Sequence, residues 1–173
     1  MTSGLAVLNE LARPAALDVL RQCCAARAWA GAVVAGRPYD TTGALLAASD
    51  ATVATLGPAA LDEALAGHPR IGERTAHGSW SAAEQSGLSG AGDDVQRRLS
   101  TGNHAYEERF GHVYLVRAAG RSAAELLALL ESRLGNDPDT EREVVRGQLA
   151  EITRLRLAAL LDRLTTEGDD RTT

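Results

Sequence analysis

The stretch NDPDTEREVVRGQLAEITRLRLAALLDRL, residues 136–164, decides the fold. Asp137–Pro138 opens it, and proline suits a first helical turn because its missing N–H had no partner there. No second proline follows. Leu149, Ile152 and Leu155 recur at helical spacing, with Leu160 near the same stripe. This predicts one long helix, the longest of the chain, facing inward along those leucines and Ile152.

Working outward, the same signals recur. Ser122 and Glu125 form a capping box ahead of LLALLESRLG (126–135), where Gly135 supplies a C-terminal stop. Asp93 and Asp94 suit the positive end of an earlier helix lined on one side by Val95, Leu99, Tyr106 and Phe110. Between these two helices FGHVYLVRAAGRS (110–122) is the one stretch that reads extended. Near the N-terminus Ser3 is a candidate cap for SGLAVLNELA, with Leu5, Leu8 and Leu11 at three-residue intervals. Pro14 opens AALDVLRQCCAARAWA, in which Leu17, Leu20 and Cys24 share a face. Asp40 is a candidate cap for TTGALLAASDATVATL, and Pro58 opens AALDEALAG, whose last turn delivers His68. The expected fold is all-α: a single compact domain of seven or eight helices over residues 1–166, a long loop between two central helices, and a frayed polar tail at 167–173.

Composition agrees. Of 173 residues, 45% are hydrophobic and 24% charged, while aromatics are only 3%, so the core rests on Leu, Ala and Val, a balance that favours helix over strand. A net charge of −5, with acids and bases interleaved as in RRLSTGNHAYEERF, argues against a nucleic-acid groove. Cys23 and Cys24 are adjacent within a helical pattern, which makes a bridge between them implausible and points to reduced thiols. With no secretory signal, bilayer-length apolar run or lipidation motif legible, the cytoplasm is the expected compartment and no membrane is expected.

The chemistry concentrates in GHPRIGERTAHGSWSAAEQSGLSG, residues 67–90. A residue before proline is pushed away from helical backbone angles. His68 therefore leaves its helix at a non-helical angle, either as an exposed loop histidine or as a site residue. Ser81 and Glu84 match a capping box, and the same helix N-terminus is also able to face an anion, with Ser81 and Gln85 bonding a ligand. In the last helix Arg156 stands beside the apolar stripe, where it either snorkels over the core or grips a carboxylate through two parallel hydrogen bonds. Asn103 lies on the Leu99–Tyr106 side of its helix, where a bracing hydrogen bond is expected. The four histidines form no HExxH pattern and have no CxxC partner, so no metal is expected. GLSGAG lacks the flanking features of a phosphate loop.

Taken in order, HPRIGER, SAAEQSGL, NHAYEERFGHVYLVRAAGRS, LLALLESRLGND and EITRLRLAALL resemble the 2-oxo-4-hydroxy-4-carboxy-5-ureidoimidazoline (OHCU) decarboxylases. LNELARPAALDVLRQCCAARAWAGAVVAGRPYDT (8–41) fits that family's opening, and the similarity runs from about Leu8 to Leu161. The resemblance implies an all-helical, usually homodimeric enzyme that needs no metal or organic cofactor and forms (S)-allantoin in the urate-to-allantoin pathway. By the same resemblance the catalytic histidine falls on His68 and its acidic partner on Glu84, with Ser81 and Gln85 contacting substrate. Further substrate contacts fall on Pro69 and on the backbone of Gly111, His112, Val113, Tyr114, Leu115 and Val116. The family's late-helix arginine falls on Arg156, with Arg154 of the same RLRL as the alternative. Two rival readings are a non-catalytic helical interaction domain and a related enzyme acting on another ureido or imidazoline acid.

Overall fold

The computed structural model describes residues 3–72, 88 and 92–170, with side chains as far as Thr166. Eight helices and no strand occur among them, so the all-α expectation holds: α1 Gly4–Glu10, α2 Arg13–Arg21, α3 Arg27–Ala35, α4 Thr42–Ala54, α5 Pro58–Ala66, α6 Asp93–Phe110, α7 Ala123–Arg133 and α8 Pro138–Asp170. They fall into two compact units, one formed by the chain up to Ala64 together with α8 from Ala150, the other by Leu65–Leu149. No single described helix is long and apolar enough to cross a membrane.

Local signals explain most helix ends. Ser3 Oγ accepts the Ala6 N–H at 3.2 Å, and Pro14 sits in the first turn of α2. The Ser122–Glu125 capping box closes reciprocally, the Ser122 N–H donating to Glu125 Oε2 at 2.7 Å. Asp137 Oδ1 accepts the Thr140 N–H at 3.0 Å and so caps the start of α8. Three ends differ from expectation. Thr41 rather than Asp40 caps α4, its Oγ1 accepting the Ala44 N–H at 3.1 Å. Gly135 does not take the left-handed conformation of a stop; Gly111, at φ 76°, does so at the end of α6. The helical backbone of α8 continues to Asp170, past the Thr166 boundary expected for fraying.

In the first unit the predicted helix through the cysteines is broken in two. α2 ends at Arg21 and α3 begins at Arg27, so Cys23 and Cys24 lie in the connection, buried and free. Burial pushes the Cys23 thiol up to about 12, which keeps it protonated and unreactive. Trp29 is fully buried and its indole N–H donates to Ser49 Oγ at 3.2 Å, joining α3 to α4. Arg37 reaches back to the α1 end, donating to the carbonyls of Leu8 and Leu11 at 2.5 and 2.9 Å. The α8 stripe also shifts: Leu155 is 41% exposed, whereas Leu149, Ile152, Thr153, Arg156, Leu157, Leu160, Leu161 and Leu164 are buried. Inward positions thus recur every three or four residues, and Leu155 falls off that register.

The second unit packs α6 on α7 around a cluster of Ile71, Leu99, Tyr106, Tyr114, Val116, Ala118, Leu126, Leu127 and Leu130. The two helices approach closely at Gly102, where a Cβ would lie 2.6 Å from Leu130 Cδ2. At the centre is a buried ion pair. Arg133 donates through Nε and Nη2 to Glu141 Oε1 at 2.8 and 2.5 Å, and through Nη1 to the Leu115 carbonyl at 2.7 Å. Glu141, with no exposed surface, also accepts from the Tyr106 hydroxyl and from Asn136 Nδ2 at 2.7 Å. Burial opposes the charge on Arg133, but its bonds to Glu141 outweigh that and hold the guanidinium firmly protonated.

Removing one partner of such a pair strands the other charge in a dry interior, which costs about 3–5 kcal/mol. Glu141→Ala is therefore expected to lower the urea midpoint by that amount of stability, whereas Glu131→Ala, on the exposed Arg98–Glu131 pair, is expected to cost about 1 kcal/mol or less.

Candidate active site

α5 ends at Ala66, and two residues later the His68 N–H donates to the Leu65 carbonyl at 3.0 Å, a last helical bond before Pro69 turns the chain away. The His68 side chain is only 8% exposed, which removes the exposed-loop reading of this histidine. Pro69 and Arg70 are half-buried, and Ile71 enters the hydrophobic cluster that also contains Tyr114 and Val116. The His-Pro loop and the segment after α6 are thus packed into the same core of the same unit.

α6 holds this loop at two adjacent points. Asn103 Nδ2 donates to the Ile71 carbonyl at 2.8 Å, and both groups are buried. One turn further on, Glu107 takes a two-pronged grip from Arg70, Nε to Oε1 at 2.6 Å and Nη2 to Oε2 at 2.8 Å. The expected bracing role of Asn103 is thereby located: it braces the loop. Arg70's hydrogen bonds hold the Glu107 carboxyl below the usual carboxylate range.

The segment from Gly111 to Val116 begins on the left-handed cap of α6 and carries no strand pairing, so the extended reading of this stretch ends as irregular backbone. Tyr114, Leu115 and Val116 are buried, Gly111 is exposed, and His112 and Val113 are half-buried. The Tyr114 hydroxyl donates to the Leu126 carbonyl at 3.1 Å, and burial raises its pKa to about 12. Arg133 stacks over the Tyr106 and Tyr114 rings at 5.7 and 4.8 Å while holding the Leu115 carbonyl. Arg133 and Glu141 were not singled out from sequence. The signal for both was present: Arg133 stands three residues after Leu130, and Glu141 four before Val145, each in phase with a buried stripe.

In the other unit the two late-helix arginines separate cleanly. Arg154 is half exposed and pairs with Asp50. Arg156 is buried on the α8 stripe itself, not beside it, with Nη1 donating to the Cys23 carbonyl at 3.4 Å. Ser81, Glu84 and Gln85 lie outside the described residues. Among the described residues no group of three or more His, Cys, Asp or Glu side chains is placed to hold a metal ion.

Comparison with known proteins bears on the same region. The OHCU decarboxylase family profile matches residues 9–158. The chain is 27% identical over 150 residues to "Uric acid degradation bifunctional protein TTL" of Arabidopsis thaliana, covering 83% of this chain but only 46% of that protein. It is 30% identical over 140 residues to the 2-oxo-4-hydroxy-4-carboxy-5-ureidoimidazoline decarboxylase of Amia calva, covering 76% of this chain and 79% of the relative. Among solved structures, an OHCU decarboxylase crystallised in the presence of (S)-allantoin superposes with a TM-score of 0.75 at 26% identity, covering 84% of this chain and 98% of that one.

The depressed Glu107 carboxyl makes a pH prediction. Its stabilising contribution is complete above the ordinary carboxylate pKa and is lost as pH falls through the lowered value. Urea unfolding followed between neutral and acid pH should therefore show a shallower acid loss in Glu107→Gln than in the unsubstituted protein. With the family profile spanning most of its length, the chain is a member of the OHCU decarboxylase family and a carboxy-lyase by class.

Proposed function

We propose that the chain decarboxylates 2-oxo-4-hydroxy-4-carboxy-5-ureidoimidazoline to (S)-allantoin in urate degradation, with His68 as the proton acceptor and Glu84 as its acidic partner. The observation that carries the site reading is the burial of His68 where the chain leaves α5, on a loop whose Ile71 shares a hydrophobic cluster with Tyr114 and Val116. A buried imidazole on a loop pinned at two points has the fixed geometry that general-base chemistry demands.

The substrate's chemistry explains what such residues have to supply. One ring carbon bears both a hydroxyl and a carboxylate and adjoins a C=N bond. As the C–C bond to the carboxylate breaks, its electron pair forms a ring C=C bond, the C=N electrons move to nitrogen, and that nitrogen takes up a proton. The resulting enol loses its hydroxyl proton, and the neighbouring carbon gains one as the carbonyl forms. The electron sink is already in the substrate, so the proposal includes no metal or organic cofactor.

The protein's work is then to manage protons and position the ring. His68 accepts the hydroxyl proton, the usual task of an imidazole in general acid–base catalysis. Glu84 orients His68 or the ureido group and helps relay a proton to one face of the carbon, which sets the S configuration. Ser81, Gln85 and Pro69 contact the substrate, as does the backbone of Gly111–Val116. Arg156 anchors a polar or anionic part of it, and its burial favours it over the solvent-facing Arg154. The reading extends to one functional domain over residues 1–166, a homodimer and a cytoplasmic location.

His68→Asn is expected to lower turnover by about 100-fold or more, the usual scale of a lost general base, with an unchanged far-ultraviolet circular dichroism spectrum. Near-native turnover would eliminate the histidine as the base. Arg156→Met is expected to raise KM strongly, and Arg154→Met to leave turnover alone while costing about 1 kcal/mol or less.

A further inference from the structure

The loop carrying His68 has its own fastening, made by residues outside the set proposed above to contact the substrate. Arg70 and Ile71, adjacent in the chain, are caught by Glu107 and Asn103, one helical turn apart on α6. The match is geometric: residues four apart on a helix lie on one face, so a single stretch of α6 presents both partners to neighbouring loop residues.

Fold stability alone is a poor explanation of Asn103. It is buried among Leu99, Tyr106 and the rest of the α6 core face, and its Oδ1 is buried without a partner among the described residues. A leucine there would pack without desolvating an amide. What asparagine adds is the bond to the Ile71 carbonyl, three residues from His68. Glu107 adds the complementary constraint, because a two-pronged guanidinium–carboxylate grip fixes orientation as well as distance.

We propose that Asn103 and Glu107 are positioning residues for His68, clamping the His-Pro loop to α6 so that the imidazole is held in its reactive pose. This rests on the reading of His68 as the proton acceptor. Its consequence is specific: loosening the clamp degrades the chemical step more than substrate binding, because a misplacement of about 1 Å costs on the order of 100-fold in rate.

The test uses the full chain, with kcat, KM and urea midpoint measured for Glu107→Ala, Asn103→Leu, the charge-reversed pair Arg70→Glu/Glu107→Arg, and His68→Asn. The clamp predicts a fall in kcat of about 10- to 100-fold in Glu107→Ala, with KM moved by less than about 3-fold, and a comparable fall in Asn103→Leu. The reversed pair is expected to recover most of the Glu107→Ala loss, which a merely structural role would not require. If Glu107→Ala does not fold, the isosteric Glu107→Gln carries the same measurement. Wild-type kcat in the Glu107 and Asn103 variants, alongside an inactive His68→Asn, overturns the clamp and leaves the His68 reading standing. A folded reversed pair as slow as the single variant also overturns the clamp. An active His68→Asn ends both.

Discussion

The buried pair of Arg133 and Glu141 is the constraint on which the second unit depends. Taking two charges out of water is expensive, and their attraction repays the cost only when the remaining hydrogen-bonding capacity is also used. Here it is used in several directions. Glu141 accepts from Arg133, the Tyr106 hydroxyl and Asn136, while Arg133 has a nitrogen left over for the Leu115 carbonyl. One polar knot therefore joins α6, α7, the start of α8 and the irregular segment after α6. A main-chain stretch with no strand to pair with needs such an anchor, since unpaired backbone groups in a core are costly.

Much of this organisation was legible in the residues themselves. Caps at Ser3, Ser122 and Asp137 announced helix starts through their own chemistry, a hydroxyl or carboxylate poised to take an N–H of the first turn. The long helix at 136–164 was clear because nothing in it interrupts helical bonding. What periodicity alone could not resolve was where a helical pattern stops without a glycine or proline. The run through Cys23 and Cys24 has good helix formers on both sides, yet the structure breaks it, and both thiols turn inward. Leu155 shows the complementary error: an apolar residue at a plausible spacing that tertiary packing leaves outside.

The candidate site was legible in a different way. His68 announces itself through the following proline, whose ring dictates the backbone of its neighbour. Arg156 announces itself as a charge beside an apolar stripe, and its burial moves it onto the stripe. Arg133, Glu141 and Asn103 obey the same rule, polar groups in phase with buried positions. Their partners lie 5 to 35 residues away along the chain, most of them on other elements, so no local pattern reveals what they bind. Family membership adds the reaction class, and the residues add the physical reason that a helical protein is able to carry it.

The central claim is that this chain delivers a proton to one face of a planar intermediate. The measurement that meets it most directly is polarimetry, with the unstable substrate generated in place from urate by urate oxidase and hydroxyisourate hydrolase. Spontaneous breakdown has no facial preference and ends in racemic allantoin. With this protein present the account predicts a lasting rotation of a single sign, that of (S)-allantoin. Rotation that decays to zero as it does without the protein would contradict it.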